Sequence, residues 1–220
     1  SSSKSSLLNS IASGMTASFQ QQVRVSHECQ ELAGLSRQPA RPKMAVEALI
    51  YRFLMLKSYE AKTFTLGTLD GLSEMQIAEH LKLYAGYVKN MNALLEKIEK
   101  HKQNSEAMAH ELSELVRRIG FEYNGMRLHE YYFSQFEKSE GSSDALKKAI
   151  EEQYGSFDAW KAQASATAVM RGIGWVLLVQ DEMNGNLLTI WVSDHELGQL
   201  GGQKIVFALD VWEHAYTVDY

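Results

Sequence analysis

The spacing of apolar and polar positions divides the chain into stretches of different period. Between Met44 and Lys57 there is no proline or glycine, and Ala45, Leu49, Ile50, Phe53, Leu54 and Leu56 recur at the spacing of a helix that buries one side. A second helix is predicted to open at Leu72-Ser73-Glu74-Met75. There Ser73 can cap the first free amides and Glu74 sits at the positive end of the helix dipole. It runs through Tyr87 and Asn92 to about Lys100. A third is predicted over roughly 105–136, with a bend or break at Gly120 or Gly125. Two long helices joined by a short connection form an antiparallel hairpin. After Gly141 the period changes. Asp144 to Tyr154 and Phe157 to Met170 read as helices. Trp175–Val179, Leu187–Val192 and Lys204–Leu209 read as short strands, rich in β-branched and aromatic side chains. Asn184-Gly185 marks a hairpin, since both residues tolerate the positive φ of a tight turn. The fold class is therefore α+β: an N-terminal long-helix hairpin followed by an α/β domain with a small three-stranded antiparallel sheet.

Composition narrows the picture. The chain has 220 residues, enough for one sizeable core, with an apolar share of 45% and a net charge of −5. That balance argues against a free nucleic-acid binder, which presents a basic face. No run of eighteen apolar residues is present, so no membrane span is expected. Cys29 is the single cysteine; it has no internal disulfide partner, which fits a reducing, intracellular compartment. Ser1 to His27 holds nine serines and no acidic residue, a composition compatible either with a mitochondrial or other organelle transit segment or with a flexible tail. Pro39 and Pro42 mark a linker. The expected organisation is an extension over 1–43, flexible or partner-binding, a helical hairpin over 44–140 and an α+β metal-binding domain over 141–220.

The chemistry begins at Asp210-Val211-Trp212-Glu213-His214. One helical turn would put Asp210 and His214 on one face, where a carboxylate and an imidazole can share a metal ion. Such a pair also arises by chance, as a capping aspartate beside an unrelated histidine. Its context decides between the two. Asp210 to Tyr216, reading DVWEHAY, resembles the metal-binding signature of the iron/manganese superoxide dismutases. Tyr154 to Gln163, YGSFDAWKAQ, resembles that family's helix-to-helix turn. Arg171 to Val179, with Gly172, Gly174 and Trp175, resembles its glycine-glycine-tryptophan strand. Asn124 to Phe133 and Leu72 to Asn92 resemble its two ligand-bearing helices. The resemblance spans about 65–220, with five motifs in order.

The resemblance implies one iron or manganese ion per chain, with His80, His129, Asp210 and His214 as ligands, and superoxide as substrate. Matching the start of the first helix selects His80, whereas matching its end selects Glu79, because one residue is missing before Tyr87; both stay open here. Tyr87 resembles the gateway tyrosine and Trp175 and Trp212 the aromatic walls of the site, although ordinary core packing explains any one of them equally well. Glu213 resembles the residue that reaches the partner's ligand histidine in a homodimer, implying contact through Glu213 and His214. The family also sets a glutamine, or occasionally a histidine, against the metal-bound solvent. The two positions expected to supply it hold Gly125 and Thr189, neither of which can replace an amide donor. The family's outer-sphere histidine is expected near Leu83 or Tyr84, and its cross-dimer tyrosine near Thr217; both are replaced. His27, His101, His110 and His195 have no companions at ligand spacing and read as surface or loop residues. Relatives continue past the position of Tyr220 through further helices, so the helix at 44–57 is expected to cover the sheet in their place or to form a protein interface. Three functions are consistent with this reading: a superoxide dismutase, a non-catalytic structural subunit of a large assembly such as a mitochondrial ribosome, and a metal-dependent oxidase on the same scaffold.

Overall fold

A computed structural model describes residues 56–102, 109–137 and 144–220. The serine-rich stretch, the Pro39–Pro42 linker, Cys29, His27 and all but the last two residues of the 44–57 helix lie outside them. Leu56 and Lys57 are not helical, so the expected helix does not extend to Lys57.

Helix α1 spans Glu74–Lys102 and α2 spans Ala109–Ser134. Ser73 caps α1 as its sequence suggests: its Oγ accepts the Gln76 amide at 3.0 Å and its carbonyl accepts the Ile77 amide at 3.0 Å. Helix α2 runs unbroken through Gly120 and Gly125. Glycine in a helix interior is tolerated where neighbours need the space, and at Gly125 the Tyr87 ring takes the place of a side chain. The two helices pack as an antiparallel hairpin along Tyr84, Val88, Met91, Met126 and Phe133, with a smaller cluster of Leu94, Ile98 and Leu115 at the far end.

Helix α3 is Asp144–Tyr154 and α4 is Phe157–Ala168, whose N-cap Ser156 accepts the Ala159 amide at 3.0 Å. Three antiparallel strands follow: β1, Gly174–Asp181; β2, Leu187–Ser193; and β3, Gln203–Asp210, in the order β2-β1-β3. The hairpin between β1 and β2 closes at Asn184-Gly185, where Gly185 has φ of 80°. Strand β1 is buried on both faces from Gly174 to Val179, which is why it reads as a continuous apolar run rather than an alternation. Helix α2 packs on β3, and α4 lies against β1 and β2. Trp160 of α4 meets Phe207 edge-on at 5.6 Å. Gly174 starts β1 with φ of 143°, and a Cβ there would stand 2.0 Å from the Val192 carbonyl oxygen. The close approach of β1 to the end of β2 depends on it. No helix among the described residues is long and apolar enough to cross a membrane.

Candidate metal centre

Four side chains from three distant parts of the chain meet between the hairpin and the sheet. His80 comes from α1, His129 from α2, Asp210 from the last position of β3 and His214 from a 3-10 turn at Glu213–Ala215. One donor atom from each lies within 4.8 Å of the others, and among the described residues this is the only such group of histidine, cysteine and carboxylate side chains. Asp210 Oδ2 is the centre of the cluster: His80 Nε2 is 3.1 Å away, His214 Nε2 3.3 Å and His129 Nε2 3.5 Å. The i, i+4 spacing of Asp210 and His214 brings them together, but not by the single helical turn expected. Asp210 ends a strand, its Oδ1 accepts the Trp212 amide at 2.8 Å, and the chain then tightens into the 3-10 turn.

Buried glutamines fix where the segments that carry these four side chains lie. Gln76, one turn before His80, donates from Nε2 to the His214 carbonyl at 2.6 Å and accepts the Val218 amide at 3.0 Å. It locks the 3-10 turn to α1. Gln135, at the end of α2, donates to the Ala208 carbonyl at 2.6 Å and accepts the Ala208 amide at 3.4 Å, which holds β3 two residues before Asp210. Neither glutamine stands out in the sequence, where each is a polar residue on a helix. Their only trace is spacing: Gln76 shares a face with His80, and Gln135 follows His129 by six residues.

Glu79 and His80 separate cleanly. Glu79 is exposed and pairs with Lys82, whereas His80 is wholly buried in the cluster. The missing residue before Tyr87 leaves α1 continuous and His80 on its inward face.

As expected, neither Gly125 nor Thr189 supplies a polar side chain to the site, but the reading of His195 as a surface residue needs correction. Thr189 sits away from the cluster, with its hydroxyl 3.2 Å from Trp160 Nε1 and 3.2 Å from Tyr154 Oη. Gly125 contributes its carbonyl, which accepts from His129 Nδ1 at 2.5 Å. The polar group comes instead from His195, just past β2, which is fully buried. Asp194, with φ of 51°, turns the chain so that His195 points inward. Trp175 Nε1 donates to His195 Nδ1 at 2.9 Å, and His195 Nε2 lies 2.7 Å from Tyr87 Oη. An indole N–H only donates, so His195 Nδ1 is the acceptor and its ring proton sits on Nε2, where it donates to Tyr87. Asn124 Nδ2 holds the His195 carbonyl at 2.7 Å, and the Trp212 ring stacks on the imidazole at 4.9 Å. A lone histidine in a loop carries no periodic signal, which is why spacing could not find it. His101 is also buried, 3.5 Å from Glu111 at the far end of the hairpin, while His110 is exposed as expected.

The electrostatics suit a cation. Burial lowers the pKa of His80 and drives that of His129 far down, with the neighbouring imidazoles acting in the same direction. Both rings are therefore neutral and have a lone pair to offer. The His129 Nδ1–H is committed to Gly125, so its lone pair is on Nε2, a buried atom with no hydrogen-bond partner. Burial alone would raise the pKa of Asp210, but hydrogen bonds from His214 and His80 outweigh it and keep the carboxylate ionised. Three imidazoles and one carboxylate are a donor set that iron or manganese accepts. Burial, followed by the Asp210 charge, keeps the Tyr87 phenol protonated far above its usual range, and burial lowers His195 to about 4.

Residues 142–220 match the family model described as iron/manganese superoxide dismutases, C-terminal domain. A protein named an iron superoxide dismutase from Cupriavidus metallidurans is 37% identical over 155 residues, covering 69% of this chain and 78% of that one. Another, from Aquifex pyrophilus, is 36% identical over 160 residues, covering 69% and 74%. A manganese superoxide dismutase from Haloferax mediterranei is 35% identical over 137 residues, covering 61% and 93%. With this extent of similarity joined to the fold and the buried His/Asp cluster, the chain belongs to the iron/manganese superoxide dismutase family.

Proposed function

We propose that the chain is an oxidoreductase that converts superoxide to oxygen and hydrogen peroxide at one iron or manganese ion held by His80, His129, Asp210 and His214. The observation that carries this is the convergence of four buried donor atoms within 4.8 Å. Such a cluster costs several kcal/mol to bury unless a cation compensates it. When bound, the metal supplies one-electron chemistry: one superoxide gives up an electron and leaves as oxygen, and a second takes up that electron with two protons to become hydrogen peroxide.

The surrounding residues manage those protons and exclude water. Tyr87 Oη accepts from His195 Nε2, so its own phenolic hydrogen is free to be donated toward the substrate. His195 holds the tyrosine in place, and Trp175 holds the histidine in the tautomer that donates. The rings of Trp175 and Trp212 wall the ligands: Trp175 is 5.1 Å from His129 edge-on, and Trp212 stacks 5.6 Å from His214. His214 is the one member of the four whose side chain reaches solvent, and the neighbouring Glu213 is exposed. This supports a homodimer in which Glu213 of one copy meets His214 of the other. One argument for the alternative of a non-catalytic structural subunit is a site stripped of polar support, and the buried His195 beside Tyr87 speaks against that argument.

The test is metal content and superoxide turnover on one purified sample. Wild-type chain should carry iron or manganese and consume superoxide, and Asp210→Asn should lose metal and activity together. A metal-loaded chain without turnover overturns the activity; a chain that takes up neither metal overturns the ligand set.

A further inference from the structure

One face of α2 changes character along its length. Leu112, Val116, Ile119 and Tyr123 recur at i, i+4, i+7 and i+11, a single stripe. Leu112 is 36% exposed, Val116 53% and Tyr123 37%, while Ile119 is half-buried. The same face continues as Arg127 and Glu130, and there a strap of the preceding chain covers it. Leu66 bridges to Glu137, Phe64 packs on Phe133 at 5.3 Å, and Lys62 Nζ pairs with Glu130 at 3.1 Å. Tyr59 meets the Tyr123 ring at 6.1 Å with the Arg127 guanidinium 5.1 Å from its own ring. The strap thus runs parallel to α2: as its residue numbers fall from 66 to 59, its contacts step back from Glu137 to Tyr123. It is firmly held at that last point, since Asn92 Oδ1 accepts the Tyr59 amide at 2.7 Å and Asn92 Nδ2 donates to the Tyr59 carbonyl at 2.8 Å.

We infer that the segment 44–55, outside the described residues, docks as an amphipathic helix on the stripe Leu112–Val116–Ile119–Tyr123. Its direction of approach is set by the strap, which brings Tyr59 beside Tyr123, three residues after Leu56. Its length fits: twelve residues of helix rise about 18 Å, and the stripe from Leu112 to Tyr123 spans about 16 Å. Its pattern fits as well, with Ala45, Leu49, Ile50, Phe53 and Leu54 along one side of a run without proline or glycine. The occupant is therefore the chain's own upstream segment, placed on the hairpin and not over the sheet.

Hydrogen exchange of the full chain, followed by mass spectrometry, tests this. Amides of 45–55 should be protected in the wild type and should exchange at least tenfold faster in Leu112→Glu/Val116→Glu, with β1 protection unchanged to show that the core is intact. Phe53→Glu, placed on the segment itself, should have the same effect without touching α2. Fast exchange of 45–55 in the wild type overturns the inference, as does protection that survives both variants. Protection that fades on dilution would assign the stripe to a second copy and overturn it too.

Discussion

Replacing Gly125 with alanine should destabilise this protein only because of Tyr87. A Cβ at position 125 would stand 2.5 Å from Tyr87 Cδ1, 2.7 Å from Cε1 and 3.0 Å from Cγ. These are ring atoms, and the ring cannot swing aside cheaply because His195 Nε2 holds its hydroxyl at 2.7 Å. Overpacking of this kind costs about 1–3 kcal/mol, and the buried hydrogen bond lost with it about 1 kcal/mol more. Against this, alanine is favoured over glycine in a helix interior by about 1 kcal/mol. The net loss is about 2 kcal/mol, or a melting temperature lower by about 4–8 °C for a chain of this size. In a Tyr87→Ala background the clash is gone and only the helix preference remains, so Gly125→Ala should then raise the melting temperature by about 2–4 °C. Thermal unfolding of the wild type, both single variants and the double variant reads this reversal of sign directly. An equal effect of Gly125→Ala in both backgrounds would refute the packing argument and with it the close apposition of the two helices at the site.

Two further outcomes follow from the same geometry. His80→Gln should abolish metal uptake, while Glu79→Gln, which alters only an exposed pair with Lys82, should leave metal content unchanged; metal analysis of the two purified variants distinguishes them. His195 has a folded-state pKa of about 4 against about 6.5 when unfolded, so between those values the unfolded chain binds the extra proton and stability falls as pH falls. Denaturant titrations of metal-free protein should show this contribution, on the order of 3 kcal/mol, present above pH 6.5, lost by about pH 4, and absent from the decline of His195→Gln.

Much of the architecture was legible because it rests on local rules. The helices at Glu74 and Asp144, the Ser73 cap, the three strands and the Asn184-Gly185 turn all follow from periodicity, capping and turn chemistry, which act over a few residues. The expected bend or break of α2 rests on glycine propensity, a weak local signal; the helix runs unbroken, and at Gly125 the ring of Tyr87, supplied by another helix, takes the space a side chain would fill.

By itself, then, the order of residues determined which segments become helix or strand and, through five ordered motifs, which side chains are the candidates for the chemistry. The fold alone decided between Glu79 and His80, since burial depends on which face of α1 meets α2 and β3. It alone brought His195 from a loop to the Tyr87 hydroxyl, and set Gln76 and Gln135 as the clamps on His214 and β3. Those contacts join positions 73 to 142 residues apart, and no short-range pattern encodes them. What a polar side chain does once buried is settled by the partners that packing brings to it, because a buried donor or acceptor must find one.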